Sequence, residues 1–212
     1  MSKLITGFTQ GMEILAGKNK YLYKLIAKYY RSIVINEVKL AGINADDTVL
    51  CVGGGPCPFT GILLHEYSGA RVTIIDNDNR CIACSREVVE SLGYEDDIEI
   101  KFKDGTEICP KDYSVVHLAL QVSPILQVVQ QLERNCSLGT KILIRQPKEH
   151  LASVYDKLGE NSLNCSDKIA HSGMQNVGHT AMYIKKGETS EASEKSFAYS
   201  DSSTISAASM AI

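Results

Sequence analysis

The sequence has no basic block, no internal repeat, and no apolar run near the roughly 20 residues that cross a bilayer. Its 22 Lys and Arg are outnumbered by 25 Asp and Glu, for a net charge of −3. Nucleic acid is therefore not an expected partner, and neither is a membrane. No signal-peptide or transit pattern opens the chain. Its 7 cysteines, an odd number in 212 residues, do not read as a secreted disulfide framework. The expected location is cytoplasmic, in a reducing compartment. Cys81-x-x-Cys84 has no second C-x-x-C and no paired histidines to complete four zinc ligands. His150, His171 and His179 are scattered. No metal is expected, and the cysteine pair reads as helix packing. A Gly-Lys-Ser/Thr phosphate loop is also missing.

What the chain does have is residues 48–61, TVLCVGGGPCPFTG. A short apolar run stops at three glycines, two prolines follow, and an apolar pattern at helical spacing (Phe59, Ile62, Leu63, Leu64) carries on. Strand, glycine turn and helix in that order set a ligand on a helix N-terminus at the carboxyl edge of a parallel sheet. A dinucleotide pyrophosphate needs free amides there. Pro56 and Pro58 remove two of them, and Pro58 stands where G-x-G-x-x-G would place its third glycine. A cofactor without phosphates fits better, and S-adenosyl-L-methionine (SAM) is the obvious one.

Hydrophobic residues at 44% and charged residues at 22% suit one soluble globular domain with extensions. Residues 1–43 are expected to form an N-terminal helical segment, with a helix over 19–41 stopped at Gly42, that covers the active site. Residues 44–186 are expected to form a Rossmann-like domain. The predicted strands are 48–52, 71–75, 98–102, 113–122, 141–144 and 180–185, with a partner for the last beginning at 168–171. The predicted helices are 58–67, 79–92, 124–134 and 149–158. Residues 187–212, rich in Ser, Ala, Thr and Glu, read as a flexible tail.

Asp76 ends the second strand, 23 positions after Gly53, where a carboxylate can accept from both ribose hydroxyls. Asp104 ends the third, where it can accept from the adenine amino group. Both also read as turn formers. Gln121 and Ser123 follow the fourth strand, and Gln121 can hold the methionyl amine of SAM or an acceptor. His117, inside an apolar run, reads as a core histidine, and Arg145 and Gln146 leave the fifth strand, where they can meet an anionic acceptor, with a solvated loop as the alternative. The cofactor-binding set is Gly53, Gly54, Gly55, Pro56, Thr60, Asp76, Asn77, Asp104, Gly105 and Gln121.

The element order looks like an α/β class: the Rossmann-like class I SAM-dependent methyltransferase fold, a mostly parallel sheet flanked by helices with a C-terminal antiparallel strand. More narrowly, VLCVGGGPCPFTGILL resembles the first motif of the nicotianamine synthase family, V-G-x-G-P-x-P-x-T. Gly53, Gly55, Pro56, Pro58 and Thr60 match it position by position. The likeness extends through roughly residues 48–158, mainly as pattern. The resemblance implies transfer of the 3-amino-3-carboxypropyl group of SAM to an amine. It also implies acidic and tyrosine side chains before the first strand closing over the site. Glu13, Tyr21 and Tyr23 lie in that region as candidate catalytic residues, with surface Glu and packed Tyr as their plain alternative.

The reading favoured from the sequence is a SAM-dependent methyltransferase acting on a small-molecule acceptor, because only 47 residues precede the first strand and methyl transfer is this fold's commonest use. Nicotianamine synthase-like transfer is the alternative, and a non-catalytic SAM-binding sensor the second. A nicotinamide-dependent oxidoreductase is opposed by the two prolines. The composition leaves room for a homo-oligomer.

Overall fold

A computed structural model describes residues 20–158, 164–173 and 176–187, with side chains from residue 27 onward. The elements are α1 (Lys20–Ala41), β1 (Thr48–Val52), α2 (Phe59–Ser68), β2 (Arg71–Asp76), α3 (Asn79–Leu92), β3 (Ile98–Phe102), β4 (Val115–Leu118), α4 (Ile125–Asn135), β5 (Lys141–Pro147), β6 (Asp167–Ala170) and β7 (Val177–Ile184). They form a seven-stranded sheet in the order β3-β2-β1-β4-β5-β7-β6. β1 to β5 pair in parallel, and β7 inserts antiparallel between β5 and β6. This is the expected Rossmann-like class I SAM-dependent methyltransferase fold. The chain winds from β1 outward through β2 to β3, then restarts on the other side of β1 with β4. The resulting switch point, at the carboxyl ends of β1 and β4, is where such sheets bind ligands.

Strand alternation sends Val49, Cys51, Val72, Ile74 and Leu143 to one face, where α1 and α2 cover them. Leu50, Val52, Val116, Leu118 and Ile144 go to the other face, under α4. α1 holds its whole span because no Gly or Pro interrupts residues 20–41. Ile33, Val34 and Ala41 form its buried stripe together with Glu37, a charge in an apolar position.

Several expected boundaries change. The 113–122 run is a strand only over Val115–Leu118, because β1 ends at Val52. Ala119 N donates to Val52 O as the last bond, and residues 119–122 leave the sheet. β5 runs on to Pro147 because β7 continues to pair with it. The 149–158 helix is only a 3₁₀ turn over Glu149–Leu151. Its amides close i→i+3 bonds, Ala152 N to Glu149 O and Val154 N to Leu151 O, before Tyr155 and Leu158 turn inward. Pro58 is the cap preceding α2, not its first residue. Among the described residues, no helix is long and apolar enough to cross a membrane. The tail from residue 188 lies outside the described residues.

Candidate functional site

At the switch point lies a cavity of about 320 Å³, walled by the ends of β1, β2 and β4, the start of α2, and residues of α1 and β5. Its floor is the glycine turn. Gly53 and Gly55 have φ of 85° and 65°, a region costly for any residue with a Cβ. Gly54 has ordinary φ, but a Cβ there would sit 2.4 Å from Ile74 Cγ2. The amides of this turn are already used. Gly53 N and Gly54 N donate to Ile75 O at 2.9 and 3.2 Å, and Gly55 N donates to Asp76 Oδ2 at 2.8 Å. With Pro56 and Pro58 supplying none, the bend has no cradle of amides for a diphosphate. Two carboxylates stand beside it instead. The residues present fit a nucleoside with hydroxyls to donate and no phosphate to bind.

Asp76 therefore has a task the sequence did not reveal: one oxygen braces the glycine turn while Oδ1 accepts from Asp78 N at 2.9 Å. Each oxygen keeps a further lone pair for a ligand hydroxyl. Asp104 is both a turn former and a cavity residue. Its Oδ1 accepts from Thr106 N and Oγ1 at 2.8 and 2.7 Å, and Asn77 Nδ2 donates to Oδ2 at 3.2 Å. The bonds from the Thr106 backbone and hydroxyl, with that from Asn77, hold its carboxyl below the usual range. Gly53, Gly54, Gly55, Thr60, Asp76, Asn77, Asp104, Gly105 and Gln121 all line the cavity. Pro56 does not: it is buried beside the bend and shapes it from behind. Gln121 is on an exposed stretch of the rim, near Ser123, whose hydroxyl donates to Asp156 Oδ2 at 2.7 Å.

The other end of the cavity differs from expectation. Arg145 is not in a loop but inside β5, 5% exposed, and Gln146 is buried in the same strand. Arg145 Nε and Nη2 donate to the two oxygens of Glu37, each at 2.8 Å, and Nη1 donates to Thr60 Oγ1 at 2.9 Å. Thr60 is thus committed to the arginine as well as facing the cavity. Thr180 Oγ1 donates to Glu37 Oε1 at 2.7 Å, and His171 Nε2 meets Thr180 Oγ1 at 2.8 Å. Nε2 of His117 lies 3.3 Å from Glu37 Oε2 without hydrogen-bond geometry, and has no other partner. So His117 is buried in the core, as read, but not satisfied there.

Register explains the cluster. Cys51 pairs with His117, and Arg145 with Thr180, all on the α1 face of the sheet, where Glu37 descends onto them. Burial alone would push the Glu37 carboxyl up. The charge of Arg145, with its hydrogen bonds to both carboxylate oxygens, outweighs that and holds it far below the usual range. Burial pushes the His117 ring below its ordinary value, against the pull of Glu37, and pushes the Cys51 thiol up to about 12. Tyr30 stacks on Phe59 at 5.7 Å, with the Arg145 guanidinium 6.0 Å from its ring, and Tyr29 and Tyr155 complete the mouth.

The sequence reading did not single out Glu37, which lies within the predicted 19–41 helix. The available signal was its place in the apolar stripe of α1. Glu13 lies outside the described residues, and Tyr21 and Tyr23 fall in the first turn of α1, where side chains are not described. Among the described residues, no three His, Cys, Asp or Glu side chains converge as metal ligands.

No family model matches the chain. It is 30% identical over 131 residues to an L-histidine 2-aminobutanoyltransferase of Yersinia pestis, covering 61% of this chain and 48% of that protein. It is 28% identical over 113 residues to the enzyme of the same name from Pseudomonas aeruginosa, covering 51% and 42%. The matched stretch is thus less than half the length of these curated relatives. Among solved structures, the nicotianamine synthase MtNAS in complex with MTA and tNA superposes with a TM-score of 0.77 at 22% identity, over 87% of this chain and 74% of that one. An RNA methyltransferase from Salinibacter ruber in complex with S-adenosyl-L-homocysteine gives 0.62 at 19%, over 76% and 94%. The fold is that of the SAM-dependent methyltransferases, and nicotianamine synthase is among its structural neighbours.

Proposed function

We propose that the chain is a SAM-dependent transferase that moves the 3-amino-3-carboxypropyl group onto an amine of a small molecule. The observation that carries this is the agreement of two separate likenesses. The curated relatives are named for aminobutanoyl transfer to histidine, and the first motif resembles that of nicotianamine synthases. On this reading the sequence preference for methyl transfer yields to the alternative.

Asp76 and Asn77 take the ribose, Asp104 and Gly105 the adenine edge, and Gly53–Gly55 the sulfonium end, with Thr60 and Gln121 beside the methionyl arm. Bound SAM supplies an electrophilic carbon next to a cationic sulfur. The protein's part is to orient that carbon toward the acceptor and exclude water. The buried Tyr155 and Arg145 and the half-buried Tyr30, all lining the cavity, serve the second task. Incubation with SAM and an amine panel that includes L-histidine tests the reading, with the nucleoside product identified by mass. Methylthioadenosine is expected. S-adenosylhomocysteine would return the assignment to methyl transfer, and neither product would leave a SAM-binding sensor.

A further inference from the structure

We propose that His117, backed by Glu37, is the site that receives the proton an incoming acceptor ammonium must shed before it can react. The inference rests on the transferase reading above and goes beyond it by assigning the base. Three observations carry it. His117 is 1% exposed, yet it borders the cavity. Its Nε2 has no hydrogen-bond partner, although buried polar atoms almost always have one. And the nearest group, Glu37 Oε2 at 3.3 Å, is itself an acceptor.

Nε2 makes no hydrogen bond, so it is the ring nitrogen open to a proton, and Glu37 Oε2 stands 3.3 Å from it. One added proton joins the two. The transfer balances: an N–H bond of the ammonium breaks and its electron pair stays on the acceptor nitrogen. The proton then bonds to Nε2, giving an imidazolium beside the Glu37 carboxylate. The freed lone pair is the nucleophile.

The groups facing His117 support this direction of transfer. From α1 comes Glu37. From β1 comes Cys51, whose thiol stays protonated. From β5 comes the Arg145 cation. Behind them, Thr180 links Glu37 to His171, itself kept neutral by burial. An acceptor ammonium entering this dry pocket near Arg145 loses solvation and meets a like charge, and both favour the free amine. His117 is the neutral ring whose protonated form has a carboxylate waiting.

Two measurements test the assignment. Protein labelled with ¹⁵N-histidine and saturated with methylthioadenosine is titrated from about pH 8 to about pH 5, and the ring signal that disappears in His117→Gln is followed. The expected Nε2 is bare at the upper end and takes a proton reversibly. An Nε2 that is already protonated there, or never takes a proton, overturns the proposal. With L-histidine as acceptor, wild-type kcat/KM should fall on the acid side with unit slope. His117→Gln should lose that limb, retain SAM affinity, and be slower by about 100-fold near neutrality. The same limb in the variant overturns the proposal. If wild-type protein releases no nucleoside product, the transferase reading fails, while the spectrum still decides whether Nε2 is a proton-accepting site. If the variant does not fold, the wild-type ring signal is assigned through its coupling to the backbone, and the titration decides.

Discussion

The two ends of the cavity are built on opposite principles. At the glycine turn, polar side chains bond to near neighbours: Asp76 to the amides of Gly55 and Asp78, 21 and 2 positions away, and Asp104 to Thr106, 2 away. These groups are half-buried, and water can replace much of what they lose. At the far end, Glu37 reaches Arg145 over 108 positions and Thr180 over 143, and Arg145 reaches Thr60 over 85, nearly all out of solvent. The first end is a local loop device. The second is a charge pair inside an apolar core, an arrangement seldom retained for stability alone, since packed hydrophobic side chains often do as well.

The sharpest way to break this contrast is to remove one charge. Arg145→Met leaves Glu37 buried and unpaired, and should cost about 3–5 kcal/mol of unfolding free energy. The double variant Glu37→Leu/Arg145→Met removes both charges and should recover most of that loss in urea titrations. The recovered stability would come with lost transfer activity. If the single and double variants are equally unstable, the pair does not matter as a pair, and the contrast between the two ends disappears.

Sequence legibility follows the same divide. The turn was readable because its requirements lie in adjacent residues: Gly53 and Gly55 where φ is positive, prolines where amides are missing, and Asp76 at a strand end. The mostly parallel sheet followed from alternating strands and helices, while the strand order came only with the structure. Arg145 was misplaced because its strand partner, β7, lies more than thirty residues later, and nothing local reveals that β5 runs on past Ile144. Glu37 and His117 look like a helix residue and a core histidine until the sheet's register puts them 3.3 Å apart. Pro56 shows the limit of motif matching: it fits the pattern by shaping the bend, not by lining the cavity.

A smaller effect separates the two strand-end carboxylates within the turn. Asp76→Ala removes a ribose partner and also releases the Gly55 amide, so SAM affinity should fall at least tenfold, about 1.4 kcal/mol or more. Asp104→Ala leaves the glycine turn intact, because its bonds return to its own loop and to Asn77, and should cost about threefold, roughly 0.6 kcal/mol. Calorimetric titration of both variants decides. Equal losses would mean that Asp76 acts on the ligand alone, and unchanged affinity for Asp76→Ala would remove it from the site.

The smallest effect is a response to acid that should begin at one end of the cavity before the other. His117, His171 and His179 all have ring pKa values lowered by burial, and all lie on β4, β7 or the loop between β6 and β7. For each, the unfolded chain binds a proton at about pH 6.5 while the folded chain does not. Their contribution to stability is therefore present above that value and lost as pH falls toward the folded one, by at most about 1.4 kcal/mol per pH unit for each group. Asp78 and Asp104 beside the glycine turn are depressed carboxylates, Asp78 through its bonds to Arg80 and Asp104 through those to Thr106. Their contribution is held until pH falls below about 4. Glu37, depressed further still, follows last. Unfolding free energy measured in urea should thus decline between about pH 6.5 and pH 5, and His117→Gln should make that decline shallower by one titrating group. A flat wild-type profile over this interval would mean that the buried rings protonate as easily folded as unfolded, which their burial, taking a charged imidazolium out of water, gives a physical reason to deny.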